Sequence, residues 1–241
     1  MYLWRGKALV LGVETDSIPH AHHAIQLSLA LEGEFRLARG DGPLQATQAA
    51  VLWPGQQHKI AANGALIAHL FIDPGQRALH AWQHLDAPDV LAPALRSALL
   101  DAWRTPRPLA QCETLLADWQ ASWLAGFDRA AVFDARVAEA LSLLEADPAQ
   151  DIAQLAARIG LSPSRFSHLF SQHTGLPYRR YVLWMRLLDA VARLAAGANL
   201  TTAAHAAGFA DLAHMSRVFH ATFGVVPSTL SRVAISAETS Q

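Results

Sequence analysis

Apolar residues alternate with polar or small ones along the first third of the chain. Between Ile25 and Leu37 the odd positions are apolar except for Gly33, and this period of two predicts a strand that bends near the glycine. Val51–Trp53 and Leu66–Ile72 are further short apolar runs, and turns rich in glycine and proline bound them. Short strands at this spacing predict a small antiparallel barrel or sandwich within residues 1–75.

The apolar spacing changes to a helical period after residue 90. Leu91–Trp103 and Thr114–Leu124 carry apolar residues three or four positions apart, with two prolines between the segments. We therefore predict a helical connector over residues 76–130. Its tryptophans either cover the barrel or form a dimer interface, and they are Trp103, Trp119 and Trp123.

The pattern stays helical from residue 131 to Pro227. Val132–Ala146 has the spacing of one helix, and Asp151 is a predicted N-cap of the next, with Gln154 at the capping-box position. Tyr178–Ala195 is amphipathic, and its roughly 18 residues at 1.5 Å each make a rod of about 27 Å. The fold class is therefore predicted as α+β in two domains, with an all-α domain over residues 131–235.

Two segments of this helical part repeat one another. In each, an alanine is followed four residues later by a glycine, and a serine, a phenylalanine and a second glycine recur at an offset of 49. A small residue allows two helices to approach closely, and a glycine can adopt the positive φ of a sharp turn between them. The matched pairs are Ala156 and Ala204, Gly160 and Gly208, Ser167 and Ser216, Phe170 and Phe219, and Gly175 and Gly224.

Each repeat has the features of a helix-turn-helix unit. Ser162 and Asp211 stand where the second helix of each unit needs an N-cap. One such alanine–glycine spacing also occurs in ordinary helical bundles. Two of them in tandem, each followed by matching residues, are specific to paired helix-turn-helix units. The rod between the units is of the right order to hold two recognition helices in successive major grooves, about 34 Å apart. The sequence therefore predicts binding to about two turns of double-stranded DNA.

The net charge also differs between the N-terminal and the C-terminal parts of the chain. Residues 1–150 carry 11 basic and 16 acidic side chains, a net charge of −5, whereas residues 151–241 carry eight arginines and four acids, a net charge of +4. A basic second part is expected of a module that binds a polyanion. Hydrophobic residues make up 52% of the chain, yet no apolar run reaches the ~18 residues of a membrane span. The single cysteine, Cys112, excludes an intramolecular disulfide and fits a reducing cytoplasm.

The helical part resembles the DNA-binding domain of the AraC/XylS family over about residues 132–232. The segments DIAQLA at 151–156 and GLSPSRF at 160–166 look like its first half, and AAGFAD at 206–211, HMSRVF at 214–219 and FGVVPS at 223–228 look like its second. Pro177 and Met215 depart from the commonest pattern. The resemblance implies a transcription regulator that is a homodimer, with an N-terminal sensing domain, a small effector, and double-stranded DNA and RNA polymerase as partners.

The resemblance also assigns roles to individual residues. Arg217 is the best candidate for reading a base directly, because a guanidinium can bind guanine O6 and N7 together. Phosphate contacts are expected from arginines near the recognition helices, namely Arg165, Arg179 and Arg180. The positions that match base-contacting positions of the family are Ser164, Ser167, His168, Ala213, His214 and Arg217.

Four polar residues of the N-terminal part are candidates for binding an effector. His20, His22 and Gln26 are separated by even numbers, so they share one face if they lie on one strand. With Gly33 they resemble the first cupin motif, H-x-H-x(3)-E-x(6)-G, and the segment ending at His58 resembles an altered second motif. The expected barrel is therefore cupin-like. His69 has no partner spacing that the sequence explains.

Gln26 replaces the carboxylate of the cupin motif, and this leaves the ligand open. Three neutral imidazoles from His20, His22 and His58 can hold a divalent transition metal. The alternatives are a small-molecule pocket lined by these histidines and a pocket in which they have no role. A metal-dependent cupin enzyme is the rival to a regulator, but the missing carboxylate removes a charged ligand and a candidate base. No catalytic triad or phosphate-binding loop occurs, so we expect no catalysis.

Overall fold

The computed structural model consists of a β-rich N-terminal part followed by helices, as the apolar periodicities predict. It describes residues 1–4, 7–13, 16–22, 24–73, 93–124, 134–147, 150–223, 226–227 and 236–237. The strands are β1 (Tyr2–Trp4), β2 (Lys7–Val13), β3 (Ile25–Glu32), β4 (Phe35–Arg39), β5 (Gln45–Thr47), β6 (Ala49–Leu52), β7 (His58–Ala61), β8 (Leu66–Ile72) and β9 (Ser236–Ala237). The helices are α1 (Pro93–Arg104), α2 (Leu109–Leu124), α3 (Ala135–Ala146), α4 (Ile152–Arg158), α5 (Pro163–Thr174), α6 (Tyr178–Ala195), α7 (Leu200–Ala206) and α8 (Leu212–Phe223). Among these described helices, none is both long and apolar enough to cross a membrane.

The strands form two sheets, of order β6-β3-β8-β2-β1-β9 and β5-β4-β7. The chain leaves the larger sheet after β3 and enters the smaller one at β4. Gly33 lies between them with a φ of 78°, a conformation that costs glycine little because it has no Cβ. The prediction of one bent strand over residues 25–37 is therefore wrong, since this turn sends its two halves into different sheets.

Both faces of the larger sheet are covered, which explains the apolar pattern of its strands. Ala30 and Ile67 belong to one core together with Phe35 and Ile60 of the smaller sheet. The odd positions of β3 belong to a second core, which includes residues of α1 and α2. A strand buried on both faces needs apolar residues at most positions, and seven of the eight residues of β3 are buried.

The two connector helices, α1 and α2, supply the outer cover of the larger sheet. Leu99 and Cys112 are both buried there, so the lone thiol fills the core. Trp103 is 44% exposed and does not fill this core. The side chains of Trp119 and Trp123 lie outside the described residues, so both predicted roles, cover of the barrel and dimer interface, stay predictions for these two tryptophans.

The helical part contains two helix-turn-helix units, α4–α5 and α7–α8, with α6 between them. Both units turn at a glycine of positive φ, 71° at Gly160 and 80° at Gly208. The spacer helix α6 has the bounds predicted from its amphipathic pattern. The structure thus contains the tandem repeat inferred from the sequence.

Polar side chains cap these helices at the predicted positions. Asp151 accepts a hydrogen bond from the backbone N–H of Ala153, and Ser162 accepts one from Arg165 at the start of α5. Asp211 accepts one from the N–H of His214 at the start of α8. Each cap satisfies a backbone donor that the helix itself leaves unpaired, so the first turn of each recognition helix is fixed locally.

The two helix-turn-helix units are packed differently. The first has a core of its own, formed with α3 and including Leu144, Phe166 and Phe170. The core of the second continues into the N-terminal sheet, because Phe71 and Phe219 belong to the same buried cluster. In addition, β9 pairs in parallel with β1. The second unit is therefore docked on the N-terminal part through buried apolar surface.

Replacing Gly208 by alanine should destabilise the protein more than the same change at Gly160. Alanine at positive φ costs about 1–2 kcal/mol at either position. A Cβ at position 208 would also lie 3.3 Å from Nε of Arg186, whose Nη1 donates a 2.8 Å hydrogen bond to the Gly208 carbonyl. At position 160, a Cβ would have no atom of the described residues within 4 Å apart from its own chain neighbours. Urea unfolding followed by circular dichroism measures both losses.

Gly12→Ala is the matched control for these variants. Gly12 lies in β2 without a positive φ, and a Cβ there meets nothing within 4 Å, so its stability should stay within about 0.5 kcal/mol of the parent. Equal stability for all three alanine variants would contradict the role given to the turn glycines.

Candidate DNA-binding surface and histidine cluster

Each recognition helix has one buried and one exposed side. In α5 the buried residues are Phe166, Phe170 and Thr174, and in α8 they are Met215, Phe219 and Thr222. Residues four apart on the opposite side form exposed stripes, which are Ser164, His168 and Gln172 in α5 and Ala213, Arg217 and Ala221 in α8. The two stripes occupy the same positions of the repeat, because each pair differs by 49.

The predicted base-contacting residues separate into two groups on these helices. Four of them lie on the stripes and are exposed, namely Ser164, His168, Ala213 and Arg217. Ser167 and His214 are only partly exposed. The His214 ring lies edge-on against Phe209, with centroids 5.4 Å apart, so it also packs on the turn of its own unit.

Gln172 is a residue of this surface that the family motifs do not mark. It is exposed on the same stripe as His168, one turn further along α5. A glutamine amide can bind the N6 and N7 atoms of adenine together. The signal in the sequence is its four-residue spacing from His168, which itself lies four residues after Ser164.

The arginines predicted to contact phosphate are all exposed. Arg165 lies in the first turn of α5, and Arg179 and Arg180 lie in the first turn of α6. The N-terminus of a helix carries a partial positive charge from its unpaired N–H groups. Arginines there add to an electrostatic potential that already favours an anion.

The three predicted histidine ligands lie together in the N-terminal part. We call His20, His22 and His58 the histidine cluster. All three are buried, and one nitrogen from each ring lies within 4.8 Å of the nitrogens of the other two. The rings of His20 and His58 are 4.2 Å apart between centroids, and those of His22 and His58 are 4.9 Å apart.

The backbone that holds the cluster differs from the predicted strand. β3 starts only at Ile25, so His20 and His22 precede it and do not share its strand face with Gln26. Instead, His20 pairs with His58 in an isolated antiparallel bridge, with two backbone hydrogen bonds of 2.9 Å. The structure brings the three histidines together through this bridge and not through a common strand.

Each ring of the cluster has one nitrogen tied to the backbone. The Nδ1 atoms of His20 and His22 are 2.8 Å from the carbonyl oxygens of Ile18 and Ala24. Nδ1 of His58 is 2.9 Å from the carbonyl oxygen of Gln56. A carbonyl only accepts, so Nδ1–H donates in all three cases, and in a neutral ring Nε2 then carries the lone pair.

Burial keeps His22 and His58 uncharged at neutral pH. It lowers the pKa of His22 to about 3, with repulsion from His58 as the next cause. It also lowers the pKa of His58 to about 4, although the hydrogen bond to Gln56 acts in the opposite direction. Neutral imidazoles are the form in which histidine binds metal ions.

A small polar network extends the cluster across the larger sheet. Oε1 of Gln26 lies 2.6 Å from Nε2 of His22, and the amide nitrogen of Gln26 donates to Oγ of Ser28 at 2.8 Å. Nδ1 of His69 lies 2.8 Å from the same hydroxyl. His69 is therefore a member of the site that sequence spacing missed, because β8 brings it beside Ser28 through strand pairing.

Phe71 separates this polar site from the second helix-turn-helix unit. Its ring lies edge-on to His22 at 5.6 Å and edge-on to Phe223 of α8 at 5.4 Å. Phe223 in turn contacts Phe219 at 4.7 Å and Trp184 at 6.0 Å. One aromatic side chain thus touches both the histidine cluster and the DNA-binding part.

These features define a two-part helix-turn-helix protein, with a β domain that encloses a polar site and two tandem recognition helices. The family model of the helix-turn-helix domain matches residues 155–232. Over these residues the chain contains a helix-turn-helix domain, and its motifs resemble those of the AraC/XylS DNA-binding domain.

Curated proteins are similar to about a third of the chain. The transcriptional activator RhaS of Pectobacterium carotovorum is 39% identical over 85 residues, which are 35% of this chain and 30% of that protein. The arabinose operon regulatory protein of Escherichia coli is 36% identical over 99 residues, 39% of this chain and 34% of that protein. The alignments thus span about a third of the length of the curated relatives.

Solved structures extend the similarity of fold to almost the whole chain. Apo ToxT from Vibrio cholerae has a TM-score of 0.62 at 13% identity, with 95% of this chain and 98% of that chain covered. A ToxT structure with bound unsaturated fatty acid has a TM-score of 0.58 at 13% identity, covering 93% and 92%. The arrangement of a β domain before two helix-turn-helix units is therefore a known fold.

Proposed function

We propose that this protein is a sequence-specific DNA-binding transcription regulator whose activity is controlled by an effector bound at the histidine cluster. The observation that carries the proposal is the pair of exposed stripes at matching positions of α5 and α8. Polar residues on the outer side of a recognition helix can reach base edges in the major groove. The docking of the second unit leaves this side exposed, because the contacts with the N-terminal part use the opposite side of α8.

The relatives support this function. RhaS and the arabinose operon protein are named as a transcriptional activator and an operon regulator. ToxT is known with an unsaturated fatty acid bound, so ligand binding occurs in a protein of this fold. For this chain the polar site of the β domain is the corresponding candidate.

The proposed partners follow from the function. They are double-stranded DNA, the effector, a second copy of the chain and RNA polymerase. Such a regulator works in the cytoplasm, where it can reach DNA. The effector acts by shifting the population of DNA-binding domain positions toward the one that the operator requires.

The rival function, a metal-dependent cupin enzyme, has less support. The histidine cluster contains no carboxylate, and the residue in contact with it, Gln26, is a neutral amide. A neutral amide can neither balance the charge of a metal-bound oxygen species nor act as a general base. We therefore propose that the protein is a regulator and not an enzyme.

Selection from a pool of random DNA duplexes tests the function directly. The full-length protein is incubated with the pool, bound duplexes are recovered and amplified, and the enriched duplexes are titrated by fluorescence anisotropy. A regulator should enrich one common sequence and bind it at least ~10³-fold more tightly than the starting pool. Affinity should also fall steeply with salt, because arginine–phosphate contacts release counterions. Recovery of duplexes without a common sequence would refute specific recognition.

A further inference from the structure

We propose that the histidine cluster binds a divalent transition metal ion, and that metal binding is transmitted to α8 through the aromatic relay formed by Phe71 and Phe223. The inference rests on the proposed function in one respect, since it names the effector and the route by which it acts. The binding of the metal and the response of α8 are properties of the protein alone, and they can be measured without DNA.

The first step is the chemistry of the donors. In each of the three rings Nδ1–H is fixed by a backbone carbonyl 2.8–2.9 Å away, so the lone pairs belong to the Nε2 atoms. A carbonyl that accepts from the second ring nitrogen is the usual support of a metal-bound histidine, because it fixes the tautomer and the ring orientation. The cluster has this support at all three positions.

The second step is a buried ring nitrogen without a hydrogen-bond partner. Nε2 of His58 is buried and has no hydrogen-bond partner among the described residues. A buried polar atom without a partner is costly in free energy, and a metal ion would satisfy it.

His22 shows a related imbalance. One of its nitrogens is 2.8 Å from the Ala24 carbonyl oxygen and the other is 2.6 Å from Oε1 of Gln26. A neutral ring can donate from one nitrogen only. Either the amide turns to present its NH2 group, or a cation binds the ring lone pair and the amide oxygen after these two atoms move to ~3.4 Å apart. In the second case Gln26 is a fourth ligand.

The donor set indicates which ions fit. Imidazole nitrogen favours Zn²⁺, Cu²⁺, Ni²⁺ and Fe²⁺ over the hard ions Mg²⁺ and Ca²⁺, which prefer oxygen. Three histidines and one weak ligand suit the tetrahedral geometry of Zn²⁺, with Zn–N distances of about 2.0–2.1 Å. We therefore take Zn²⁺ as the ion to test and Co²⁺ as its spectroscopic substitute.

The third step is the mechanical link to α8. The ring nitrogens of the cluster lie within 4.8 Å of one another, and a tetrahedral ion about 2.1 Å from each nitrogen would fix them ~3.4 Å apart. Metal binding would therefore fix the position of the His22 ring, which is in edge contact with Phe71. Since Phe71 is buried against Phe223, and packed cores respond to displacement by repacking, a shift of His22 reaches the end of α8.

Metal binding is tested with untagged full-length protein by calorimetric titration with Zn²⁺ and by the visible absorption of Co²⁺. One ion per chain is expected, with a tetrahedral Co²⁺ spectrum. His58→Ala and His20→Ala should each weaken binding at least tenfold with an unchanged circular dichroism spectrum. His205→Ala removes an exposed histidine of α7 and should bind as the parent does. Absence of stoichiometric binding, or equal affinity in the cluster variants and in His205→Ala, would overturn the site.

The relay is tested by hydrogen–deuterium exchange with and without Zn²⁺. Exchange of the amides of α8 should change at least threefold on metal binding, while the amides of α5, which lies in a separate core, should not change. Phe71→Leu keeps an apolar side chain but removes the ring edge, so this variant should bind Zn²⁺ with the parent affinity and lose the response of α8. No response in the parent, or the same response in Phe71→Leu, would overturn the relay.

DNA titration then separates this inference from the proposed function. With an enriched duplex, Zn²⁺ should change the affinity of the parent at least fivefold and that of Phe71→Leu less than twofold. If Zn²⁺ binds and α8 responds but no duplex is enriched, the inference stands and the regulator function fails. If a duplex is enriched and Zn²⁺ does not change its affinity, the regulator stands and the metal is not its effector.

Discussion

Replacing Phe170 by alanine is expected to lower the free energy of unfolding by about 3–5 kcal/mol. Phe170 is fully buried in the first helix-turn-helix unit, with ring centroids 5.3 Å from those of both Phe166 and Tyr181. Truncation removes the apolar area of the ring and leaves a cavity that its aromatic neighbours cannot fill. Urea unfolding, followed by circular dichroism, measures the loss.

An exposed apolar residue provides the matched control for Phe170. The side chain of Ile18 is 48% exposed, so Ile18→Ala should cost less than about 1 kcal/mol. The histidine cluster lies in a different core from Phe170, and the Co²⁺ spectrum of Phe170→Ala should therefore match that of the parent under native conditions. A loss as small as that of Ile18→Ala would show that this core does not hold the first unit together.

Arg217→Ala is expected to weaken binding to the enriched duplex by about 10–100-fold, which corresponds to the 1–3 kcal/mol of one bidentate contact with guanine. Arg217 is exposed in the middle of the α8 stripe. Because the lost contact reads a base, binding to random-sequence duplex should fall much less, by no more than about threefold. Anisotropy titrations with both duplexes at one salt concentration give the two ratios.

Arg36→Ala is the control for the charge that Arg217→Ala removes. Arg36 is exposed on β4 in the smaller sheet, so this variant has the same net charge without touching a recognition helix. It should bind the enriched duplex within about twofold of the parent. If Arg217→Ala lowered the affinity for the enriched and the random duplexes equally, Arg217 would contact phosphate and not a base.

The sequence was most informative where local rules determine structure. The bounds of α6 follow from its amphipathic pattern, and the two turns follow from glycines that adopt a positive φ. The caps at Asp151, Ser162 and Asp211 follow from their position before an apolar run, because a cap is a contact between near neighbours. In the helical part, therefore, the apolar periodicity and the capping residues were sufficient to predict these helix bounds and turns.

The sequence was least informative where the contact joins distant segments. His69 enters the polar site because β3 and β8 pair, and the register of that pairing is not visible in the spacing of histidines. Nor does any local pattern show that Phe71 meets Phe223 or that β9 pairs with β1. These contacts depend on how the two parts of the chain dock, and buried apolar area determines that without a short motif.

Hydroxyl-radical footprinting on one copy of the enriched sequence tests most directly whether α5 and α8 bind the same DNA together. Two protected patches are expected for each bound chain, on one face of the duplex and one helical turn apart, about 10–10.5 base pairs between centres. Gln172→Ala and Arg217→Ala should each weaken protection in a different patch. A single patch, or two patches on opposite faces, would show that α5 and α8 do not occupy successive major grooves of the same duplex.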